Sequence, residues 1–162
     1  MTRAMRNDSI ARRGSPNQFA FEQLELRVER FNMVHSVSSS APVNYDQLMQ
    51  ANLTRVFGER DAQRRDEAIR ELYAEDAVLN EAHARAAGHA EICNAVRQLL
   101  KSCPPDFVFH AIGPAVGHHG VGRLQWRSGL PNGPAVVTGT DVAHFENGLI
   151  QSLYVFLDPN GA

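Results

Sequence analysis

The sequence has little of what holds small secreted proteins together or anchors proteins in membranes. Its only two cysteines are Cys93 and Cys103, ten residues apart around a predicted helix, so about 15 Å separates them and a disulfide is excluded. Reduced thiols favour a cytoplasmic protein. No apolar run approaches the roughly 18 residues of a membrane span, and the N-terminus lacks the apolar core of a secretory signal. We therefore expect no membrane partner.

An excess of positive charge is also missing. The formal net charge is −2, and residues 44–162 carry ten Arg and Lys against fourteen Asp and Glu. An acidic domain of this kind is a poor match for the phosphate backbone, so we expect no nucleic-acid partner. The sequence also lacks a phosphate loop, a dinucleotide fingerprint and a Gly-x-Ser-x-Gly motif. We accordingly expect no cofactor.

The chain divides into a tail and one domain. Residues 1–43 are rich in Arg and Ser and show little apolar periodicity, which predicts a largely disordered or loosely packed tail. Residues 44–162 are expected to form the domain. Apolar spacing predicts helices over residues 46–58, 61–73 and 89–102, the last of them stopped by two prolines. Strands are predicted over residues 77–81, 107–116, 121–128, 135–146 and 149–157. Helices followed by a run of strands indicate an α+β fold.

The last two strands are joined by Asn147-Gly148, a strong signal for a two-residue type I′ turn. With Glu146 and Leu149 closing that turn, opposed residues have numbers that sum to 295. Opposed residues point to the same side of a sheet. One face of the predicted hairpin then carries Asp141, Ala143, Phe145, Ile150, Ser152, Tyr154 and Phe156. It is apolar except for one carboxylate beside one phenol.

These elements and three motifs resemble the nuclear transport factor 2-like superfamily, especially its SnoaL-like polyketide cyclases and their steroid-isomerase relatives. The motifs are residues 75–81 (EDAVLNE), Gly88 before the third helix, and residues 136–141 (VVTGTD). The resemblance spans residues 46–158. It implies a cone-shaped fold in which a curved antiparallel sheet packs on three N-terminal helices and leaves a deep pocket. It does not imply one activity, because the superfamily holds isomerases, cyclases, hydrolases and binding modules.

The resemblance also implies roles for three residues. Glu81 falls at the carboxylate general base of the steroid isomerases, and Asp141 at the protonated Asp that donates to the substrate oxyanion. Trp126 falls near an aromatic pocket wall. The oxyanion-hole Tyr of the first helix would lie near Leu53, and that helix has none, which argues against a steroid isomerase proper. Tyr154 could supply a phenol from the sheet instead.

The residues themselves leave alternatives open for both acids. Glu81 is on the Leu79 side of its strand by alternation, so it points into the pocket if Leu79 is buried; otherwise it is a strand-end Glu facing water. A buried, ionised Asp141 would be costly. It must therefore face a cavity, pair with Arg123 or Arg127 on the neighbouring strand, or bond to Tyr154.

The remaining predictions concern the pocket wall, metals and the partner. Predicted ligand-binding residues are Trp126, Leu124, Phe109, Phe145, Phe156 and His83. Both His118-His119, placed in a turn, and Glu81-x-His83 lack a third ligand at recognisable spacing, so we predict no metal site. The outer face of the sheet is expected to carry Val142, Leu153, Val155 and Leu157. Such an apolar strip predicts a homodimer through the sheet.

The predicted function is that of a small-molecule enzyme of the isomerase, cyclase or hydrolase type. Glu81 would act as the base, while Asp141 and Tyr154 would polarise an oxygen of a small apolar or carbonyl-bearing ligand. The alternative is a non-catalytic ligand-binding or dimerisation module with the same fold. A cavity that reaches both acids favours the enzyme. A cavity plugged by Trp126, Phe109 and Tyr154 favours the module.

Overall fold

The computed structural model describes residues 43–159, so the predicted tail, except for Val43, lies outside the described residues. The helices are α1 (Tyr45–Ala51), α2 (Ala62–Leu72) and α3 (Gly88–Ser102), and a π-helical turn, Asn52–Phe57, continues α1. The strands are β1 (Tyr73–Asn80), β2 (Arg85–Ala87), β3 (Val108–Ala111), β4 (Val116–His118), β5 (Val121–Gly129), β6 (Ala135–Glu146) and β7 (Leu149–Leu157). The mixed α+β class is confirmed.

The helix ends follow local capping chemistry. The side chain of Asn44 accepts a hydrogen bond from the backbone N–H of Gln47, which starts α1. That of Asp61 accepts one from Arg64 at 2.9 Å, which starts α2 as predicted. The predicted helix over residues 46–58 is found as α1 and its π-helical continuation, ending at Gly58. No helix in residues 43–159 combines the length and the apolarity that crossing a membrane requires.

The strands form one curved sheet in the order β2-β1-β7-β6-β5-β3, with β4 also paired to β5. The β1–β7 pair is parallel and the other pairs are antiparallel, so the expected all-antiparallel sheet is wrong at that pair. Two helices precede β1 and the third follows β2. The core lies between the helices and the inner face of the sheet, around Met49, Ile69, Ile92, Leu124 and Leu153.

The β6–β7 hairpin confirms its predicted turn but not its predicted register. Both Asn147 and Gly148 have positive φ, 52° and 79°, as a type I′ turn requires. Phe145 opposes Ile150 as predicted, but His144 then opposes Ser152, so Gln151 is an extra residue in β7. Such a β-bulge shifts every later pair by one residue and reverses which side chains face inward.

The bulge corrects the predicted faces of β7. Leu153, predicted outside, is completely buried in the core. Val155 and Leu157 line a cavity on the inner side of the sheet, although Leu157 is 58% exposed. Tyr154 and Phe156, predicted inside, are 45% and 57% exposed on the opposite face. The prediction that Leu153, Val155 and Leu157 form an apolar strip on the outer face is therefore wrong. Association of two copies through that face stays a prediction, now with Tyr154 and Phe156 on it.

Candidate functional site

A cavity of about 350 Å³ opens between the inner face of the sheet, the π-helical turn and the end of α3. Its volume is at the small end of the range for pockets that bind small molecules. Apolar side chains form most of its wall, and the polar groups are few. The predicted site residues that line it are Glu81, His83, Phe109, Trp126 and Asp141. It therefore reaches both predicted acids.

Asp141 is the buried ionisable group of this cavity. It is 2% exposed, and its Oδ1 accepts a hydrogen bond of 2.7 Å from Nε1 of Trp126. Burial raises the pKa of Asp141 from an ordinary 3.8 to about 7, while the bond from Trp126 opposes this rise. The alternative of an ion pair is excluded in the described structure, because Arg123 and Arg127 alternate with the inward residues of β5 and are exposed.

The indole of Trp126 reaches Asp141 because the residue opposite it is a glycine. Trp126 pairs with Gly139 across the β5–β6 ladder, and Asp141 lies two residues further along β6. A Cβ at Gly139 would stand 2.6 Å from Cζ2 of Trp126, so any other residue would push the ring away. On its other side, Phe109 packs edge-on to Trp126 with ring centroids 5.9 Å apart. The indole is thus fixed from both sides.

Glu81 lies at the mouth of the same cavity. Glu81 follows Asn80, the last residue of β1, which pairs with Tyr154. Glu81 is therefore beside Val155. Val155 in turn opposes Asp141. Two interstrand spacings put the Glu81 and Asp141 backbones about 10 Å apart. Leu79 is buried as the alternation argument required. Glu81 nonetheless remains solvent-exposed, so the cavity has a buried acid inside and an open carboxylate at its rim.

The predicted neighbour of Asp141, Tyr154, is not there. Tyr154 opposes Val142 and Asp141 opposes Val155, so the predicted phenol–carboxyl contact is wrong. Asp141 instead changes the pKa of a different phenol, that of Tyr73. Complete burial raises the pKa of Tyr73 well above its usual value, the charge of Asp141 raises it further, and a bond to Asn52 lowers it. The Tyr73 hydroxyl donates that bond, of 2.6 Å, to Oδ1 of Asn52.

Three other predicted ligand-binding residues lie outside the cavity lining. Leu124 is completely buried and pairs with Asp141 in the ladder, so it belongs to the core. Phe145 is also core, and its ring packs edge-on to Tyr45 with centroids 5.5 Å apart. Phe156 points to the outer face because of the bulge. The wall is completed by residues that were not predicted to bind ligand, among them Leu53, Phe57, Ser128, Val137 and Val155.

The histidine pair lies where the sequence placed it, at a turn. His118 ends β4 and His119 has a φ of 50° in the turn before β5. Their Nδ1 atoms are 3.1 Å apart. Among residues 43–159, no three His, Cys, Asp or Glu side chains converge on a point where a metal ion could be held.

Comparison with known proteins identifies the family. A SnoaL-like domain model matches residues 52–153, while no curated protein matched the sequence. The crystal structure of a candidate isomerase of the SnoaL-like family from Agrobacterium tumefaciens is similar at 26% identity and a TM-score of 0.65, covering 70% of this chain and 96% of that one.

Two more distant structures share the fold. A candidate polyketide cyclase from Sinorhizobium meliloti is 18% identical with a TM-score of 0.53, covering 67% of this chain and 93% of its own. A candidate SnoaL-like polyketide cyclase from Jannaschia sp. is 11% identical with a TM-score of 0.60, covering 75% and 91%. Because the family model matches more than half of the sequence, the chain belongs to the SnoaL-like family of the nuclear transport factor 2-like superfamily.

Proposed function

We propose that this protein is an acid–base enzyme of the isomerase or cyclase type that acts on a small, apolar, carbonyl-bearing compound. The observation that carries the proposal is Asp141, a carboxyl group whose pKa of about 7 makes it an effective proton donor near neutral pH. It lies in a largely apolar cavity large enough for one or two rings. The cavity reaches Glu81 as well, which is the arrangement expected of an enzyme.

The bond from Trp126 determines which oxygen of Asp141 can donate. Because the indole N–H points at Oδ1, that oxygen must accept, and the proton of neutral Asp141 resides on Oδ2. Oδ2 then donates a hydrogen bond to the carbonyl oxygen of a ligand. In surroundings of low polarity, such a bond strengthens as negative charge develops on that oxygen. Asp141 would thereby stabilise an enolate.

Glu81 would remove the proton from the carbon next to the carbonyl. Its place at the rim, about 10 Å from Asp141 along the backbone, leaves room for a ligand with its oxygen at Asp141 and its acidic C–H near Glu81. Where a C=C bond is conjugated with the carbonyl, the charge of the enolate extends to the far carbon of that bond, and returning the proton there gives an isomer. Attack of the enolate carbon on a second carbonyl closes a ring. The names of the similar structures, a candidate isomerase and two candidate cyclases, support both outcomes.

One observation favours a second function, that of a binding protein without catalysis. Glu81 is solvent-exposed and Tyr154 faces away from the cavity, so no phenol joins Asp141 in holding an oxyanion. A pocket in which one buried carboxyl group binds the carbonyl oxygen can hold a carbonyl compound without transforming it. The two functions differ in whether a ligand exchanges its acidic hydrogen.

We expect the wild-type protein to catalyse hydrogen–deuterium exchange at the carbon next to the carbonyl of 2-tetralone, a small apolar ketone, in D₂O. Mass spectrometry or proton NMR measures the rate. Loss of either proposed group should slow the exchange by about 100-fold or more, as is usual for a general acid or base, in Glu81→Gln and in Asp141→Asn. The rate should also fall as the pH rises above about 7, because Asp141 then loses its proton.

Tyr154→Phe is the matched control, since Tyr154 is next to Val155, the residue opposite Asp141 in the ladder, but lies on the outer face. Its exchange rate should equal that of the wild type. Binding of 2-tetralone without exchange, seen as a change in the fluorescence of the single Trp126, would establish the binding protein instead. Exchange that persists in both Glu81→Gln and Asp141→Asn would overturn the proposed mechanism.

A further inference from the structure

A second cleft, outside the cavity just described, is lined by four cationic side chains. It lies between the start of α2 and the end of α3. Its charged residues are Arg60, Arg65, Arg97 and Lys101, and the rest of its wall is Ala62, Leu100, Cys103 and Pro105. Four positive charges in one concave surface attract anions strongly. Among residues 43–159, no carboxylate lines the cleft to balance these charges.

Arg65 is the unusual member of this group. It is only 3% exposed, and its Nη1 donates to the backbone oxygens of Glu59 at 3.0 Å and Arg60 at 3.4 Å. Its Nε is buried without a hydrogen-bond partner. Within residues 43–159 the ion pairs are Arg55–Glu71 and Arg64–Glu59, and neither involves Arg65. Burying a guanidinium without a counter-ion is unfavourable.

Of the three acids within four residues of Arg65, Glu67 accepts a hydrogen bond from Nε2 of Gln63, and the other two are also engaged elsewhere. The Asp61 carboxylate caps α2 by accepting from the backbone N–H of Arg64. The Asp66 carboxylate is the hydrogen-bond partner of the Cys93 thiol, and burial and Asp66 together raise the pKa of that thiol to about 11. Neither forms an ion pair with Arg65 at 4.0 Å or less. The charge of Arg65 is therefore left without a matching acid in the described part of the chain.

The other three cations line the same cleft as Arg65. Arg97 and Lys101 are four residues apart on α3, so they lie side by side, where two like charges are destabilising unless something offsets them. Arg60 is held in place by the backbone oxygens of Leu100 at 2.9 Å and Pro104 at 2.6 Å. Those neutral carbonyls position its guanidinium without neutralising it.

We propose that this cleft binds a phosphate-type oxyanion. Guanidinium groups match the oxygen spacing of phosphate and bind it through paired, charge-assisted hydrogen bonds, and a doubly charged anion best balances four cations. Cys103 borders both this cleft and the apolar cavity. The phosphate is therefore either a free ion or the phosphate group of a ligand whose apolar part extends toward the cavity. The inference does not depend on acid–base catalysis in the cavity.

Isothermal titration calorimetry with inorganic phosphate, in buffers held at one ionic strength with sodium chloride, tests the site on the full-length protein. We expect saturable binding by the wild type. The double variant Arg97→Gln/Lys101→Gln should bind at least about tenfold more weakly, a loss of about 1.4 kcal/mol in total, because it removes two charge-assisted hydrogen bonds. Both positions are exposed, so the variant should keep the wild-type melting temperature without phosphate.

Arg123→Gln is the matched control, because Arg123 is an exposed cation on the outer face of β5. It should bind phosphate as the wild type does. The chemical shift of the Arg65 Nε–H group, followed by nitrogen-15 NMR, should move on titration with phosphate. Heats indistinguishable from those of sodium chloride, or an equal loss of affinity in Arg123→Gln, would overturn the proposal.

A parallel titration with octyl phosphate distinguishes the two sources of the anion. Tighter binding than inorganic phosphate, together with a change in Trp126 fluorescence, would assign the cleft to the phosphate group of an amphipathic ligand. Equal affinity and unchanged fluorescence would assign it to the free ion. In both cases, the Arg97→Gln/Lys101→Gln variant must bind the titrated phosphate more weakly than the wild type does.

Discussion

Replacing Asp141 by Asn should make the protein more stable than the wild type at pH 8, and about equally stable at pH 4. The pKa of Asp141 is about 7 in the folded protein and near 3.9 in an unfolded chain. Between these values the folded state holds a proton that the unfolded state releases. The stability of the wild type therefore falls as the pH rises from about 4 to about 7, by about 4 kcal/mol in total.

Asparagine has no charge to lose and keeps an oxygen that can accept the N–H of Trp126. Chemical denaturation of wild type and Asp141→Asn at pH 4, 6 and 8 measures the difference. Other carboxyl groups titrate alike in both proteins, so they cancel in that difference. A variant less stable than the wild type at every pH would mean that the charge of Asp141 supports the fold. Asp141 would then not be the neutral proton donor that we propose for the cavity.

The second large effect concerns two adjacent residues of β7. Leu153→Ala should lower the free energy of unfolding by about 2–5 kcal/mol, because it removes a completely buried side chain. Tyr154→Ala should change it by less than about 1 kcal/mol, because Tyr154 is 45% exposed on the other face. Urea denaturation of both variants measures the contrast.

These two variants control for each other, since they truncate neighbouring residues of one strand. A hairpin without the bulge would bury Tyr154 and expose Leu153, which reverses the expected order. The same reversal would place a phenol beside Asp141. The pair therefore tests the local geometry on which the description of the site depends.

The hairpin shows which parts of the fold a sequence can predict. The Asn147-Gly148 turn and the bounds of β6 and β7 follow from strong local rules, namely positive φ at the turn and alternating apolar residues. The bulge at Gln151 has no such signal, because one extra residue in an otherwise regular strand is selected by packing. Leu153 is accommodated in the core only if the register shifts there. Three of the seven residues of the predicted hairpin face, Ser152, Tyr154 and Phe156, lie on the other face for this one reason.

The candidate site, like the hairpin, could be predicted only in part. The inward position of Asp141 follows from its place among apolar alternating residues, and the structure confirms it. The hydrogen-bond partner of Asp141 could not be predicted from residue spacing. Trp126 reaches Asp141 diagonally, across Gly139, which has no side chain. The π-helical turn that brings Leu53 and Phe57 to the cavity is also a departure from regular spacing. Periodicity arguments assume regular helices and strands, so they fail at such irregularities.

The most direct test of the account is the pKa of Asp141 itself. Carbon-13 NMR of the side-chain carboxyl groups, titrated from pH 3 to pH 9, identifies the Asp141 signal as the one missing from Asp141→Asn. We predict a midpoint of about 7 for that signal, because the carboxyl group is buried with Trp126 as its hydrogen-bond donor. A midpoint below about 5, in the ordinary range for Asp, would contradict a neutral acid in the cavity and the function proposed from it.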